Sequence, residues 1–550
     1  NDGFGWLEPG PLPTTVNGGE AVALPVTFSP ANTTTKTGTI TVESDDCEVP
    51  TQTIDVIAAG KIAKEPPPCL PAGEFAPKVA WEWKANDAQK KYSFVFMSPI
   101  VINLDDDDGD GDIGGGDIPE VVFVAHDGSF GLNFNDDRPG VLRAIHGKDG
   151  SPMWASNDPN HQPGWASNLA AAEIDGQPGP EIVVFGYQPS KPGKNCPGVP
   201  DVFPAPFCGK YIEGHLLAFH GSDGSLYWKS QPFTGAVSDM ENMGAPTLTD
   251  LEGDGIVDVV AGNTVYNGID GSIKWVGSAG RGNDAHGYLT VVADLDGNGE
   301  REVIAGNTAY HADGSIMWTT AMTDTHGTGV ADLDGNGSME VFINGTNGQS
   351  IIVDGKTGAI LKGPKYTGII GCCVAAPAIA DVDSSKPGLE IITVGDSMLK
   401  VLDKDLNLLW SKEISDETGA AGPAAFDVEG DGVAEVIYAD EGTLWILRGS
   451  DGKVIFEAPR SSATGQDNPV IADVDGDNHA EILVPMESGF GGPGLRLYSN
   501  QDDSWVATRR LWNQHSFGVA DIFDNATLPQ KGTAAGFSMQ ILRTNYPTCK

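Results

Sequence analysis

Positive charge is scarce in this chain: its 550 residues carry 33 Lys and Arg against 76 Asp and Glu, a formal net charge of −43. A surface of that sign repels phosphate, which argues against nucleic acid and anionic membranes as partners and for divalent cations. No run of ~18 apolar residues occurs, so no membrane span is expected. The chain opens Asn1-Asp2-Gly3 without an initiator Met or a signal peptide, and this start reads as a processed or truncated end. GxSxG, HExxH, P-loop and strand-linked GxGxxG arrangements are missing, which leaves standard hydrolase and nucleotide-binding readings without support. Cysteine is sparse: Cys47, Cys69, Cys196, Cys208, Cys372, Cys373 and Cys549. None forms a CxxC pair, which argues against a structural zinc site. Cys196 and Cys208 bracket a Pro-rich loop suited to a staple in an oxidising compartment, and Cys69 and Cys549 lie near the two ends of the main body, where a bridge would close a ring. Spacing does not assign the connectivity, and one thiol is left over. This usage favours a secreted protein.

Turn formers are abundant, with 72 Gly and 37 Pro, and hydrophobic residues reach 40%. A turn-dense all-β fold with a sizeable core follows. Residues 1–60 differ in texture from the rest. Ala21–Phe28, Gly38–Glu43 and Thr51–Ala58 alternate apolar and polar residues and read as strands. This stretch resembles the later strands of the Ig-like domains of bacterial surface proteins, a sandwich that takes about seven strands. Two explanations of the shortfall stay open: a chain numbered from partway through a longer polypeptide, or a strand supplied by a neighbouring subunit. Residues 61–78 form a Pro-rich, extended linker.

From residue 79 to 550 one unit recurs eight times. Its acidic loops begin near positions 103, 173, 250, 294, 332, 381, 427 and 473, and the shorter intervals fit one small four-stranded sheet each. The first two copies carry insertions. A second signature follows each loop: a strand, an Asp-Gly or similar tight turn, and often a Trp (Trp154, Trp228, Trp275, Trp318, Trp410). One such sheet cannot cover both its faces, whereas radial stacking lets each blade cover the next with Trp filling the gaps. An eight-bladed β-propeller is expected, with seven blades as the alternative if one copy is absorbed into a loop. Val79-Ala80-Trp81-Glu82-Trp83 reads as a stray Trp-bearing strand that completes a blade begun by the C-terminal end, closing the ring without exposed edges. The tail around Trp505–Phe523 is expected to pack at that seam.

The loops carry the chemistry. In the best copies a carboxylate recurs at alternate positions, then comes an Asn-Gly turn, then an acid from the following strand: Asp294, Asp296, Asn298 and Glu302, and again Asp332, Asp334, Asn336 and Glu340. Alternate residues of a tight loop point their oxygens inward, which suits a hard cation with six to eight oxygen ligands, calcium rather than magnesium. An EF-hand closes with Glu at position 12 between helices; here the closing acid stands at position 9 and β-type residues follow. The related copies are Asp105, Asp107 and Glu120; Glu173, Asp175 and Glu181; Asp250, Glu252, Asp254 and Asp258; Asp381, Asp383 and Glu390; Asp427, Glu429, Asp431 and Glu435; and Asp473, Asp475, Asp477 and Glu481. The first is expanded, with more acids than one ion needs. The second and sixth lack the central Gly and carry Pro, which puts their occupancy in doubt. As a set, eight copies in register resemble the FG-GAP/VCBS repeats of integrin-α-like propellers. That resemblance implies calcium bound within each blade, up to about one ion per copy.

His286 and His326 precede metal loops at the start of expected innermost strands, where a ligand-binding or basic role competes with hydrogen bonding to the next blade; Trp165 and Met243 hold comparable places. Cys372-Cys373 and the Asp-Gly…Trp hairpins are similar to features of eight-bladed quinoprotein dehydrogenases, which lack an aspartate cage in nearly every blade. The balance falls on a secreted or cell-surface calcium-binding propeller, non-enzymatic, acting in adhesion, binding or extracellular assembly through protein or glycan ligands on its loops or channel face. Two alternatives stand beside it: a carbohydrate-active propeller (lectin or polysaccharide lyase), and a structural subunit that self-associates by strand exchange through the Ig-like module.

Overall fold

The apolar runs and Asp-Gly turns of each repeat build one antiparallel sheet of four strands, connected in chain order. The computed structural model describes the backbone of residues 4–6, 26–28, 36–43 and 51–58 and, from residue 75 on, all but 129–138, 157, 188–213, 233–243, 281–282, 285–286, 323–324, 346, 372–373, 463–464, 488–492, 519–520, 530–541, 546 and 549–550. Two compact units result, Asn1–Pro68 with Lys550, and Cys69–Cys549.

In the first unit Phe4–Trp6 pairs with Val26–Phe28, and Lys36–Glu43 pairs with Thr51–Ala58 over eight residues. The ladder from Lys36 to Ala58 lies where the alternating pattern places strands. Among the described residues these two ladders hold four strands, against the about seven of an Ig-like sandwich.

Among the described residues the second unit holds eight four-stranded sheets, the blades of an all-β, eight-bladed propeller, and one short ladder, Asn283–Asp284 with Gly287–Tyr288. Blade 1 comprises Ile100–Ile102, Glu120–Ala125, Val141–His146 and Pro152–Ala155; blade 2 comprises Leu169–Ala172, Glu181–Phe185, Leu216–His220 and Leu226–Lys229. The innermost strands of blades 3 to 8 are Thr247–Thr249, Val291–Ala293, Thr325–Ala331, Ala378–Ala380, Ala424–Phe426 and Val470–Ala472. Second strands such as Glu181–Phe185 and Glu435–Ala439 are buried along their whole length, because neighbouring blades cover both faces. Outermost strands such as Ile273–Val276 alternate between half-buried and exposed. The ring closes as the stray Trp-bearing segment implies: Pro77–Trp83 forms the outermost strand of blade 8, antiparallel to Leu495–Asn500.

The docking of blade on blade repeats too. The indole N–H of Trp154 donates to Gly221 O of the next blade at 2.7 Å, and Trp228, Trp275, Trp318 and Trp410 donate likewise to Gly268, Ala312, Gly355 and Gly449 at 2.6–2.8 Å. Trp81 makes the same bond across the closure, to Gly147 O of blade 1 at 2.8 Å. Each indole thus buries apolar area while its polar edge is satisfied. The turn glycine of the receiving blade lies on the ring: Gly224 has φ +70°, and a Cβ there would sit 2.6 Å from Trp154 Cε3. Gly224→Ala is expected to cost about 2–4 kcal/mol, from the left-handed backbone and overpacking together. Calorimetry checks this, and an unchanged melting temperature would show that the docking does not limit stability.

The tail reaches well beyond the closure seam. Trp512 exchanges both backbone hydrogen bonds with Val101 of blade 1 (2.9 and 2.8 Å), and Asn513 O accepts from Ala171 N of blade 2 at 2.9 Å. Gln514 Oε1 accepts from Leu248 N of blade 3, and Leu542 O from Ile379 N of blade 6 (2.9 Å each). Arg543 O accepts from Ala425 N of blade 7 at 3.3 Å, and Asn545 Nδ2 donates to Ile471 O of blade 8 at 2.9 Å. The C-terminal segment therefore satisfies free backbone groups on six innermost strands, lying along the axis rather than at one joint. Ala-rich inner strands (Ala170, Ala171, Ala378, Ala380, Ala424, Ala425), all buried, leave room for Trp512 and Phe517, whose rings stack at 4.8 Å.

Candidate metal centres

Each acidic loop leaves the end of an innermost strand and returns into the second strand. In blade 4, Asp294 Oδ1 accepts from Gly297 N (2.8 Å) and Asn298 N (3.2 Å), and its Oδ2 from Gly299 N (2.9 Å). Asp296 Oδ1 accepts from Asn298 N and Asn298 Oδ1 from Glu300 N, at 3.0 and 2.6 Å. Gly299, at φ +88°, makes the reversal. Blade 5 repeats this with Asp332, Asp334, Asn336 and Gly337.

The closing acid is held in the same way in all eight blades. Its second oxygen accepts the backbone N–H of a loop residue: Leu104 to Glu120, Ile174 to Glu181, Leu251 to Asp258, Leu295 to Glu302, Leu333 to Glu340, Val382 to Glu390, Val428 to Glu435 and Val474 to Glu481, at 2.8–3.2 Å. These eight acids are 0–5% exposed. Burial foremost, then neighbouring carboxylates, pushes Glu120 up to about 9, Glu435 to about 8, and Glu340 and Glu390 to about 7, each opposed by the loop amide. Glu481 goes the same way for the same reasons. A cation among them would reverse that tendency, since ligands bind deprotonated.

Ligand atoms come within 4.8 Å of one another in Asp105/Asp107/Glu120, Asp175/Glu181/His220, Asp294/Asp296/Glu302 and Asp332/Asp334/Glu340. The expanded loop of blade 1 holds a further group, Asp106/Asp108/Asp117, although Asp117 also accepts from the amides of Asp107, Asp108 and Gly114. Asp105 Oδ1 and Asp473 Oδ1 are buried and accept no hydrogen bond, as expected of oxygens set aside for a cation. The sets of blades 1, 4 and 5 are all oxygen, the chemistry that suits a hard cation, which would neutralise the acids and hold loop to strand, whereas that of blade 2 includes the His220 imidazole.

The loops are not alike. Imidazoles missed in the sequence stand at the end of third strands: His146, His220 and His311 bring Nδ1 to 3.2–3.3 Å from Glu120, Glu181 and Glu302. In blade 2, Glu173 and Asp175 accept from Gly176 N and Gln177 N without a central Asn-Gly. Blade 6 ties Asp383 to Ser385, while Asp381 is raised by burial. Blade 7 wraps Asp427 around the amides of Gly430, Asp431 and Gly432, and Asp431 accepts from Val433 N; burial raises Glu429. In blade 8, Asp475 and Asp477 accept from the next-but-one amides, and Asp473 Oδ2 takes Arg510 Nε at 2.9 Å. Arg510 also donates to Gly116 O, Asp117 O and Gly476 O, tying the loops of blades 8 and 1. In blade 3, Asp250 holds the amides of Asp254 and Gly255, but Lys274 Nζ lies 2.7 Å from Glu252 Oε1 and 2.8 Å from Asp258 Oδ1. That arrangement does not fit an ion as the groups of blades 1, 2, 4 and 5 do.

Other residues singled out in the sequence fall differently. All seven cysteines, His286 and Met243 lie outside the described residues, and His326 is described only as part of the strand Thr325–Ala331. Trp165 packs on Phe96 and His126, with ring centroids 5.0 and 5.4 Å away. Among the described residues no helix is long and apolar enough to cross a membrane.

Comparison with known proteins adds three findings. No curated protein matches the chain. Residues 270–539, just under half of it, match the family model described as rhamnogalacturonan lyase family 11, C-terminal domain. Among solved structures, the V. cholerae biofilm matrix protein Bap1 is similar at a TM-score of 0.66 and 18% identity, covering 87% of this chain and all of that one. The Bacillus licheniformis rhamnogalacturonan lyase PL11 (0.51, 18%, 91% and 86%) and the exotype rhamnogalacturonan lyase YesX (0.50, 17%, 86% and 87%) follow. At these identities the solved structures establish a shared β-propeller fold.

Proposed function

We propose that this chain is an extracellular, calcium-stiffened propeller that engages a polysaccharide, with eliminative cleavage as the activity to test first. The match of residues 270–539 to a rhamnogalacturonan lyase domain carries this reading, and it ranks the carbohydrate-active alternative above non-enzymatic adhesion. FG-GAP/VCBS-type calcium loops are part of the same proposal. With a net charge of −43, an acidic glycan is repelled until calcium masks the carboxylates, so binding is expected to need calcium.

Elimination next to a uronate needs a base, and His286 and His326 are the candidates. Incubation with rhamnogalacturonan in calcium is expected to raise the absorbance of unsaturated uronate. The double change His286→Ala, His326→Ala is expected to slow it about 10²–10⁴-fold, the usual weight of a positioned acid–base group, without moving the calcium-dependent melt. Binding on a glycan array without product would leave a lectin, and neither binding nor product would reject the carbohydrate reading. A second reading, assembly within an extracellular matrix, draws on the likeness to Bap1 along that chain's full length; strand exchange through residues 1–60 would be its means.

A further inference from the structure

Register singles out Lys274. In each docking hairpin the third and fourth strands slip by one residue beside the docking aromatic: Ala144↔Trp154 is followed by Ile145↔Pro152, Ala218↔Trp228 by Phe219↔Leu226, and Val265↔Trp275 by Tyr266↔Ile273. Ala309↔Trp318, Val401↔Trp410 and Ile446↔Phe456 are followed by the same slip. The residue left unpaired at each bulge is Met153, Tyr227, Lys274, Met317, Leu409 and Ile455 in turn. At blades 1, 2, 4, 6 and 7 it is apolar or aromatic; at blade 3 it is a cation.

That cation reaches the acid loop of its own blade. Lys274 Nζ donates to Glu252 Oε1 at 2.7 Å and to Asp258 Oδ1 at 2.8 Å, bridging a loop position and the closing acid. Blade 3 also departs at the closing acid itself, with Asp258 where the other seven blades have Glu. Its carboxylate is one methylene shorter, and the ammonium spans the gap. The rest of the loop keeps its form: Asp250 accepts from Asp254 N and Gly255 N at 3.0 and 2.7 Å.

We propose that Lys274 is a built-in substitute for the metal ion, making the loop of blade 3 an ammonium-bridged, calcium-independent joint in a ring whose other loops take calcium. The inference rests on the calcium reading of those loops. It implies that one blade keeps its loop closed when calcium is withdrawn, and that this blade takes no ion.

The test is calcium stoichiometry of the full chain, by native mass spectrometry and equilibrium dialysis with calcium alone, for wild type and Lys274→Met, the residue blades 1 and 4 carry at this place. The variant is expected to bind one more ion per chain. Hydrogen exchange on wild type covers the case in which the variant fails to fold. With chelator, the amides of Leu251, Asp254 and Gly255 are expected to stay protected while those of Leu295, Asn298 and Gly299 in blade 4 lose protection. Equal stoichiometry in the two proteins, or equal loss of protection in blades 3 and 4, would overturn the inference alone. A wild-type chain that binds no calcium would reject the calcium reading and this inference with it.

Discussion

Withdrawing calcium with a chelator is expected to lower the melting temperature by about 10 °C or more. Each site held at a hundredfold excess over its Kd contributes about 2.7 kcal/mol, and a ring this large moves by roughly 1–2 °C per kcal/mol, so several loops acting together reach that size. The pH dependence should change sign with the metal. The closing acids start from an ordinary 4.5 and, buried among other acids, titrate at about 9 for Glu120, about 8 for Glu435, and about 7 for Glu340 and Glu390. A folded-state value above the unfolded one gives stability that is complete below pH 4.5 and lost as pH rises through 7 to 9, because the native state must then ionise a buried group. The chelated protein is therefore expected to melt progressively lower from about pH 5 to pH 8.5. In saturating calcium, which binds the ionised form, the melt should hold level or rise over the same range. Parallel pH profiles with and without calcium would sink the account of the loops as metal centres.

Much of the ring was legible because its determinants are local and repeated. Asp-Gly turns, the carboxylate spacing and the apolar run after each closing acid specify loop, strand and hairpin within about 40 residues, and eight copies in register outweigh any one irregular copy. The closing strand was legible for the same reason, since Trp81 sits in a copy of the docking hairpin and bonds to Gly147 as the other indoles bond to their neighbours. What escaped has no period. The tail meets the inner strands through single bridges such as Ala170↔Gln514 and Ala425↔Thr544, which leave no alternation to read, although the Ala-rich inner strands were a usable sign of something packed along the axis. Lys274 escaped because its meaning depends on which way a bulge turns it, and the histidines because they stand across the ladder from a closing acid, as in Glu120↔His146 and Glu181↔His220; only register shows either. The indole bonds were half visible: Trp as a filler of gaps between blades follows from composition, its acceptor carbonyl does not.

Arg510→Ala is expected to cost about 3 kcal/mol and to cost more without calcium than with it. Asp473 is 1% exposed; among the described residues its Oδ2 accepts from Arg510 Nε at 2.9 Å and from Asn478 N at 3.0 Å, while Oδ1 accepts nothing, so Arg510 is the one cation on it. Removing the guanidinium strands a buried carboxylate, the case in which breaking an ion pair is most destabilising. It also leaves Gly116 O, Asp117 O and Gly476 O without the donors that hold the loops of blades 1 and 8 together. Arg510→Lys keeps the charge but not the fork, so a smaller loss is expected. A calcium ion beside Asp473 would carry part of the same duty, which is why chelator should widen the gap between wild type and Arg510→Ala. The consequence runs along the tail, because Arg510 is two residues from Trp512, whose backbone pairs with Val101. If the tail is a strut anchored at its arginine end, the amides of Val101 and Ala171 should exchange faster in Arg510→Ala while that of Ile379, bonded to Leu542 near the far end of the segment, changes less. Uniform acceleration of all three would mean that the ring loosens as a whole, and no acceleration would mean that the tail holds without its arginine anchor.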